Sequence, residues 1–353
     1  MAGTEYGVNH PLSNKAWAKT LFREALKDTY MSRFMSDGSD SIVQIKSELQ
    51  KSAGDKITQG LRMQLSGAGI QGDSTLEGNE EALTTYNDAV YIDQLRHAVR
   101  SSGRMSEQRV PFSVREEAKN GLKDWWTGRL DTAFFNQLCG NTGQADTRYT
   151  GNNAAVAPSA TAGNTRHLIP SGTSTHSTEA SLSTTDTFQL SLIDRAVTIA
   201  KTATPLIRPI RVGGKNKYVM FLHPYQAFQL RTDATAGRIT WYDAQSNRVQ
   251  GGEMDNPIYS GALGEYNNVI LHESTYLPAL VTDRRRSVLC GAQAALLAVG
   301  QDNSPTKMNW EEEMFDYGNQ LGVSAGMIYG LKKAVFNSID FGTVVVSTYS
   351  PAP

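Results

Sequence analysis

Cysteine and long apolar runs are scarce in this sequence. Only two cysteines occur among 353 residues, Cys139 and Cys290, so we expect neither a disulfide framework nor a thiolate metal site. Both are interpreted as buried free thiols. The longest apolar stretch, residues 290–299, is far shorter than the roughly 20 residues of a membrane span, and the amino terminus lacks a secretory-signal pattern. These absences predict a protein that folds in a reducing cytosol without a membrane partner.

Positive charge is not in excess either. The 34 lysines and arginines nearly balance the 35 acidic residues, which leaves a net charge of -1. Proteins that bind nucleic acid mainly through its phosphates usually carry a basic excess. DNA binding through arginine-rich loops therefore stays an alternative, resting on residues 284–286 and on Arg208, Arg211, Lys215 and Lys217. We expect these residues in solvated loops or subunit contacts.

Motifs for metals and nucleotides are missing or incomplete. The six histidines form no H-x-x-x-H pair, and Gly214-Lys215 is followed by Asn216 instead of the Ser or Thr of a phosphate loop. Residues 67–72 match G-x-G-x-x-G, but turn-forming residues follow them where the dinucleotide fingerprint requires a helix. We predict a flexible hairpin tip at these glycines, with no cofactor and no metal.

One motif could indicate an enzyme. Residues 322–326 match the G-x-S-x-G nucleophile elbow, with Ser324 as the nucleophile. In α/β-hydrolases the histidine follows the serine, whereas His272 is the last histidine here and precedes it. A serine hydrolase is therefore a disfavoured alternative, and residues 311–313, all glutamate, are interpreted as a solvated or interface segment. We predict that the protein is not an enzyme.

The most prominent feature present is a predicted helix over residues 113–139. Ser113 and Glu116 form a capping box at its start, and Gly140 suits its end. Its length would be roughly 39 Å at 1.5 Å per residue. Charged residues between the apolar positions predict a wet face, so we expect the helix to lie across a surface. Trp125 and Trp126 are interpreted as packing anchors.

Two further features point to contacts outside the subunit. Ser13 can begin an amphipathic helix, and residues 42–93 read as an extended region with a long hairpin. An isolated hairpin is marginal in water, so its apolar face needs another surface, most naturally a neighbouring subunit. The predicted subunit-interface residues are Trp17, Phe22, Ile57, Leu61, Met63 and Leu65.

The rest of the sequence predicts a segment with few apolar residues to bury, followed by a second folded region. Residues 141–186 are rich in Ser, Thr, Ala, Gly and Asn, and we expect an exposed excursion or a poorly ordered loop. Residues 187–203 predict a helix. Strands are predicted at 218–222, 268–271 and 287–289 and in the β-rich end at 334–349, whereas 292–299 fits either element. Mixed helices and strands of this kind indicate an α+β protein.

Several runs resemble a known family. Residues 75–84 (TLEGNEEALT), 91–100 (YIDQLRHAVR), 111–119 (PFSVREEAK) and 256–264 (NPIYSGALG) resemble the major capsid proteins of tailed bacteriophages of the coliphage N-four type. The similarity extends over most of the chain in the same order, except in residues 141–186, where no family pattern is recognised.

The resemblance implies the Hong Kong 97 capsid fold. Its parts would be an amino-terminal arm (1–41), an extended hairpin loop (42–98), a spine helix of the peripheral domain (99–140), a Ser/Thr/Ala/Gly-rich insertion (141–186), an axial domain (187–305) and a return to the peripheral domain (306–353). The implied function is that of a structural, self-assembling homo-oligomer, whose hexamers and pentamers form an icosahedral head around double-stranded DNA. A portal and possibly scaffold or decoration proteins are the implied partners, with the virion capsid as location and the host cytoplasm as the place of assembly.

Overall fold

The chain is a mixture of helices and strands in the computed structural model, which describes residues 30–48, 54–110, 112–161, 164–172, 174–212, 214–233, 241, 263–281, 283–300 and 309–353. The described helices are α1 Arg104–Gln108, α2 Val114–Leu138, α3 Leu190–Thr202 and α4 Pro224–Thr232, with 3-10 turns at Tyr30–Phe34, Thr147–Tyr149 and Glu179–Ser181. The described strands are β1 Met35–Ser36, β2 Val43–Lys46, β3 Lys56–Arg62, β4 Thr85–Tyr91, β5 Asp93–Arg100, β6 Ala160–Thr161, β7 Asn164–Thr165, β8 His167–Leu168, β9 Pro170–Ser171, β10 Ser174–Thr175, β11 Ile210–Val212, β12 Lys215–Leu222, β13 Gly264–Tyr266, β14 Val269–Glu273, β15 Ala279–Val281, β16 Arg284–Cys290, β17 Ala295–Val299, β18 Asn309–Phe315, β19 Gln320–Lys333, β20 Val335–Phe336, β21 Ile339–Asp340 and β22 Thr343–Tyr349. The α+β prediction is therefore confirmed. The expected amino-terminal helix, with Trp17 and Phe22, lies outside the described residues.

The chain divides into two compact units. Of the described residues, those within 96–127 and 309–326 belong to the first unit, and those within 30–95, 128–300 and 327–353 belong to the second. Helix α2 and strand β19 each contribute residues to both units.

An eight-stranded mixed sheet forms the core of the second unit. Its order is β13-β14-β12-β16-β22-β8, with β11 beside β12 and β15 beside β16. Helix α3 places Ile193 and Val197 in one buried apolar cluster with Met220 of β12 and Val344 of β22. The predicted helix at 187–203 and the strands at 218–222, 268–271 and 287–289 are thereby confirmed, within a few residues at their ends.

Within residues 292–299, for which the sequence left helix and strand open, the structure forms strand β17. It pairs in parallel with β2, Ala295 opposite Val43, and antiparallel with β19, Leu297 opposite Leu331. All five residues of β17 are buried. A strand that is buried on both faces has a continuous apolar run without alternation. The periodicity of the sequence therefore cannot distinguish it from a buried helix.

The first unit contains the hairpin of β18 and the first half of β19. Asn309 pairs with Gly326, and the six following residues of β18 continue the antiparallel register. The glutamates of β18 are exposed, as predicted, and Glu312 forms a bidentate ion pair with Arg115, at 2.7 Å from Nη2. Trp126 is fully buried and donates its indole N–H to the Ala325 carbonyl at 3.3 Å, as expected for a packing anchor.

The ends of α2 match the prediction closely. The Ser113 hydroxyl accepts the N–H of Glu116 at 3.3 Å, which caps the first turn. At the other end Gly140 has φ 62°, its N–H donates to Gln137 O, and the N–H of Asn141 donates to Asn136 O at 2.9 Å. These two bonds form a Schellman motif, for which glycine is the preferred residue because a Cβ strains the left-handed conformation.

The predicted wet face of α2 is wrong for its second half. From Ala133 onwards the helix is buried on all sides, and Asp131 is buried as well. Its carboxylate accepts the N–H groups of Tyr30 and Met31 at 3.1 and 3.2 Å. Burial raises the pKa of Asp131 to about 6, although these two bonds act in the opposite direction. Asp131, which the helical pattern predicts on the wet face, thus binds backbone groups of the same chain instead of solvent.

Residues 141–186 are exposed over part of their length, as expected at 147–149 and 183–185, but other parts of the segment are packed and ordered. Leu168 and Ile169 are buried, and β8 pairs in parallel with β22 in the large sheet. Thr150 and Asn153 are buried too, and their polar groups are hydrogen-bonded. The low apolar content of this segment does not indicate its packed parts, because much of what the segment buries is backbone and small polar side chains.

Strands β19 and β22, near the end of the chain, belong to different sheets: β19 pairs with β17, and β22 belongs to the eight-stranded sheet. Strand β22 pairs along its whole length with β16, Thr343 opposite Cys290, in the sheet of the second unit. The domain boundary expected between residues 305 and 306 therefore falls between β16 and β22, which are paired in the structure. The β-rich character predicted for residues 334–349 is confirmed.

Candidate assembly surface

A long hairpin of β3 and β4 is the element for which the sequence predicted an external partner. The strands pair antiparallel from Lys56 opposite Tyr91 to Arg62 opposite Thr85, and Met63 N donates to Thr84 O at 3.0 Å. Alternate residues of β3 are exposed and half-buried, as the period of two predicted. The hairpin prediction is confirmed, but residues 43–46 form β2 in a different sheet.

The base of the hairpin packs on its own chain. Ile57 contacts an apolar cluster that contains Val90 and Leu296. Leu61 packs beside the buried rings of Phe336 and Phe341. These two predicted interface residues therefore contribute to the packing of the subunit itself.

Beyond the paired strands the apolar residues face solvent. Met63 is half-buried, and Leu65 is 58% exposed. Leu76 and Leu83 are 62% and 59% exposed, and Ile70 is 39% exposed. The sequence prediction missed these last three residues, although isolated leucines in a stretch of turn-forming residues were a usable signal. We call residues 63–84 the hairpin tip.

The hairpin tip is closed by one carboxylate. Glu81 accepts the backbone N–H groups of Ser66, at 2.8 Å, and Gly67, at 2.6 Å, and these bonds lower the pKa of its carboxyl group. Gly69 and Gly72 have φ 73° and 69°. Residues 67–84 contain no helix, so the G-x-G-x-x-G spacing reflects turn geometry, as predicted.

The root of the hairpin is held by a buried acid. Asp88 binds the ammonium group of Lys332 and accepts the N–H of Val335 at 3.2 Å. Lys332 also donates to the Ala89 carbonyl at 3.0 Å. The hairpin is therefore fixed at its root and exposed at its tip.

Ser324 does not occupy a nucleophile elbow. It lies inside strand β19, and its hydroxyl donates to the Glu311 carbonyl across the β18–β19 pair at 3.3 Å. The elbow needs a sharp turn from a strand into a helix, which is absent at this position.

A serine, a histidine and a glutamate do meet elsewhere, without the geometry of a catalytic triad. His167 Nε2 lies 2.8 Å from Ser347 Oγ and 3.2 Å from Glu179 Oε1, so one nitrogen serves both partners. In a triad the acid orients the imidazole through its other nitrogen. Ser347 is also fully buried, and we interpret the cluster as structural.

The arginine run at 284–286 is engaged within the chain. Arg284 donates to Ala180 O at 2.8 Å, and the Arg285 guanidinium lies 5.3 Å from the Tyr225 ring centre. Arg286 binds Glu179 and the carbonyls of Cys139 and Gly140. These contacts leave the DNA-binding alternative without support from this run.

Both cysteines are buried and free, as predicted, and burial raises the pKa of the Cys139 thiol to about 12. Across the residues that the structure describes, no cluster of His, Cys, Asp or Glu could hold a metal ion. Within the same residues, no helix has the length and apolarity needed to cross a membrane.

Comparisons with known proteins agree on one family. The family model described as "Phage capsid protein" matches residues 5–278 and 279–352. The major capsid protein of Pseudomonas phage KPP25 is 27% identical, over 94% of this chain and 93% of its own length. The capsid of Ralstonia phage GP4 superposes with a TM-score of 0.80 at 32% identity, covering 100% of this chain and 99% of the other. The capsid protein of cyanophage Pam1 has a TM-score of 0.79 at 22% identity, covering 99% and 100%.

These matches cover nearly the whole chain, so they extend to both units and to the hairpin. The structural neighbours are phage capsids of the Hong Kong 97 type, which confirms the resemblance seen in the sequence. The hydrolase and DNA-binding alternatives find no support among them. The chain therefore belongs to the phage capsid protein family, as a structural major capsid protein of the bacteriophage virion and not an enzyme.

Proposed function

We propose that this capsid protein forms hexamers and pentamers that close into an icosahedral head around double-stranded DNA, and that the hairpin tip binds a neighbouring subunit. The observation that carries the proposal is the exposure of Leu65, Leu76 and Leu83 on an element fixed at its root. Three exposed leucines on one anchored hairpin offer a candidate contact surface, because covering large apolar side chains removes them from water.

The composition of the hairpin tip indicates what that covering surface contains. Residues 63–84 include Asp73, Glu77, Glu80 and Glu81 and no lysine or arginine. A neighbour that covers the leucines would therefore offer apolar groups flanked by basic ones, because like charges brought together oppose association.

The other predicted interface residues have different roles in this proposal. Trp17 and Phe22 would belong to an amino-terminal arm that contacts neighbours, and the 113–139 helix would be the spine of the peripheral domain. Ile57 and Leu61 would support the hairpin from below, while Met63 and Leu65 would begin the contact. Many modest interfaces, repeated over a closed lattice, would then resist the pressure of packaged DNA.

Further partners follow from the same role. The head would connect to a portal, and scaffold or decoration proteins would assist or reinforce the shell. DNA would be enclosed non-specifically, and the net charge of -1 argues against tight binding of its phosphates. Assembly would take place in the host cytoplasm.

A double substitution in the hairpin tip tests the proposal. We expect Leu76→Asp combined with Leu83→Asp to reduce closed particles at least tenfold by negative-stain electron microscopy, because two charges would enter an apolar contact. Thermal unfolding of the subunit should change little, since both side chains are exposed and surface substitutions usually alter stability by less than about 0.5 kcal/mol.

Gln71→Asp is the matched control, because it adds a charge at an exposed position of the same tip without removing an apolar group. It should assemble better than the double variant. Normal particle numbers in the double variant would show that the tip is not an interface.

A further inference from the structure

The loop that follows α2 binds the root of the hairpin through two neighbouring asparagines. Asn152 and Asn153 lie in the Ser/Thr/Ala/Gly-rich segment, for which neither the sequence nor the family resemblance assigned a role. Both are in the second unit, together with Tyr91, Asp93 and the second half of β19.

Asn153 acts as a one-residue extension of the strand pairing at the root. Its Oδ1 accepts the N–H of Tyr91 at 3.0 Å, and its Nδ2 donates to the Tyr91 carbonyl at 2.9 Å. A side-chain amide has one acceptor and two donors, so it can satisfy both backbone groups of Tyr91 as a paired strand would. Asn153 itself is buried, which favours a fixed geometry.

Asn152 connects the same root to strand β19. Its Nδ2 donates to Asp93 O at 3.1 Å and to Tyr329 O at 2.8 Å. Its φ is 62°, a left-handed conformation that asparagine tolerates better than most residues. Next to it, Gly151 O accepts the N–H of Leu331 at 2.8 Å, so the loop also binds β19 through its backbone.

The loop is in turn held by the buried end of α2. Gln137 Nε2 donates to the carbonyls of Thr150 and Asn153, at 2.6 and 2.7 Å. The Thr150 hydroxyl donates to Asn153 O at 2.7 Å. An unbroken series of hydrogen bonds therefore runs from the long helix through residues 150–153 to the hairpin root.

We propose that Asn152 and Asn153 are positioning residues that set the direction in which the hairpin leaves the subunit. This inference rests on the proposed contact of the hairpin tip with a neighbour. The seven residues of β3 span roughly 23 Å at about 3.3 Å per residue, from the root to the end that packs on the subunit through Leu61, so root and Leu61 packing together set the direction of the span. A change of about 10° in that direction moves the start of the tip by roughly 4 Å, enough to break an apolar contact whose atoms must approach within about 4.5 Å.

Substitutions of full-length protein test the two asparagines. We expect Asn153→Ala to accelerate hydrogen exchange of the Tyr91 amide roughly tenfold, measured by mass spectrometry on peptides covering residues 86–93, because that amide loses its acceptor. The fraction of closed particles seen by electron microscopy should fall several-fold. Asn153→Asp keeps the acceptor and loses the donor, so its particle yield should lie between those of Asn153→Ala and the unaltered protein.

Asn141→Ala is the matched control. It removes an amide of the same segment that binds Asn136 Oδ1 at 3.0 Å and does not contact the hairpin, so particles should form normally. If Asn153→Ala fails to fold, Asn152→Gly provides the comparison, because it removes the two donated bonds while glycine accepts the φ of 62°.

Three results would overturn the inference. Unchanged exchange at Tyr91 would show that the amide does not depend on Asn153. Faster exchange with normal particle number and diameter would show that root geometry does not control assembly, while the Leu76 and Leu83 substitutions would still decide whether the tip is an interface. Equal defects in Asn141→Ala would assign the effect to the loop in general.

Discussion

At the scale of single residues, a largely buried ion pair lies at the carboxy-terminal end of α2. Glu179 contacts Arg286 at 2.7 Å, and Arg286 in turn binds the carbonyls of Cys139 and Gly140 at the end of α2. A cation at a helix carboxy terminus interacts favourably with the helix dipole. Burial raises the pKa of Glu179, but hydrogen bonds from His167, Arg286 and Ser347 outweigh it and bring the pKa down to about 2.

Glu179→Gln should therefore destabilise the subunit by about 2 kcal/mol near neutral pH, since Arg286 would lose its counter-charge. The folded pKa of about 2 lies below the ordinary glutamate value of 4.5, so the carboxylate contributes stability above about pH 4.5 and loses it as pH falls towards 2. Chemical denaturation as a function of pH measures both effects. Glu77→Gln, at an exposed tip position, is the matched control for loss of a carboxylate. A pH profile for Glu179→Gln identical to that of the unaltered protein would contradict the assignment.

At the scale of elements, α2 contains two glycines in opposite situations. Gly140 has φ 62°, and a Cβ there would lie 2.5 Å from Val156 O and 2.8 Å from Pro158 Cδ. Gly121 lies on the exposed side of the helix, where a Cβ would meet nothing within 4 Å. The same substitution should therefore have opposite signs at the two positions.

Gly140→Ala should lower the free energy of unfolding by about 1 to 3 kcal/mol, because alanine resists the left-handed conformation and its methyl group overlaps the next loop. Gly121→Ala should raise it by about 0.5 to 1 kcal/mol through helix propensity. Urea denaturation of the two variants measures the difference. Equal effects of one sign would show that the Schellman turn does not constrain residue 140.

Elements with strong local signals were predictable from the sequence. The cap at Ser113, the stop at Gly140 and the alternation in β3 depend on neighbouring residues, and all three are confirmed. The order of residues 141–186 was not predictable, because it depends on bonds such as Asn153 to Tyr91 between residues 62 positions apart. The packing of Leu61 on Phe336 was hidden for the same reason, whereas exposed Leu76 and Leu83 could have been noticed.

At the scale of the whole molecule, the matches to capsid proteins span nearly the full chain. Within the described residues, the end of α2 is buried, whereas the hairpin tip exposes apolar side chains. Both lie in the larger of the two units. A molecule of this kind should exist in solution mainly as an assembly.

Sedimentation of the purified chain should accordingly give particles of very high mass, with closed shells in negative-stain images. Binding to free double-stranded DNA should be weak and lack the steep salt dependence of a phosphate-binding protein. A chain that stays monomeric while binding DNA with a strong salt slope would favour the arginine-loop alternative.

The bonds from Glu81 to Ser66 and Gly67 have a thermodynamic consequence for such assemblies. A tip already folded by its own carboxylate has less conformational entropy to lose when a neighbour covers it, so more of the contact free energy remains for association. The same entropic saving recurs at every copy of the hairpin. Under the proposed tip contact, a capsid can close from individually weak contacts that still permit a misplaced subunit to dissociate.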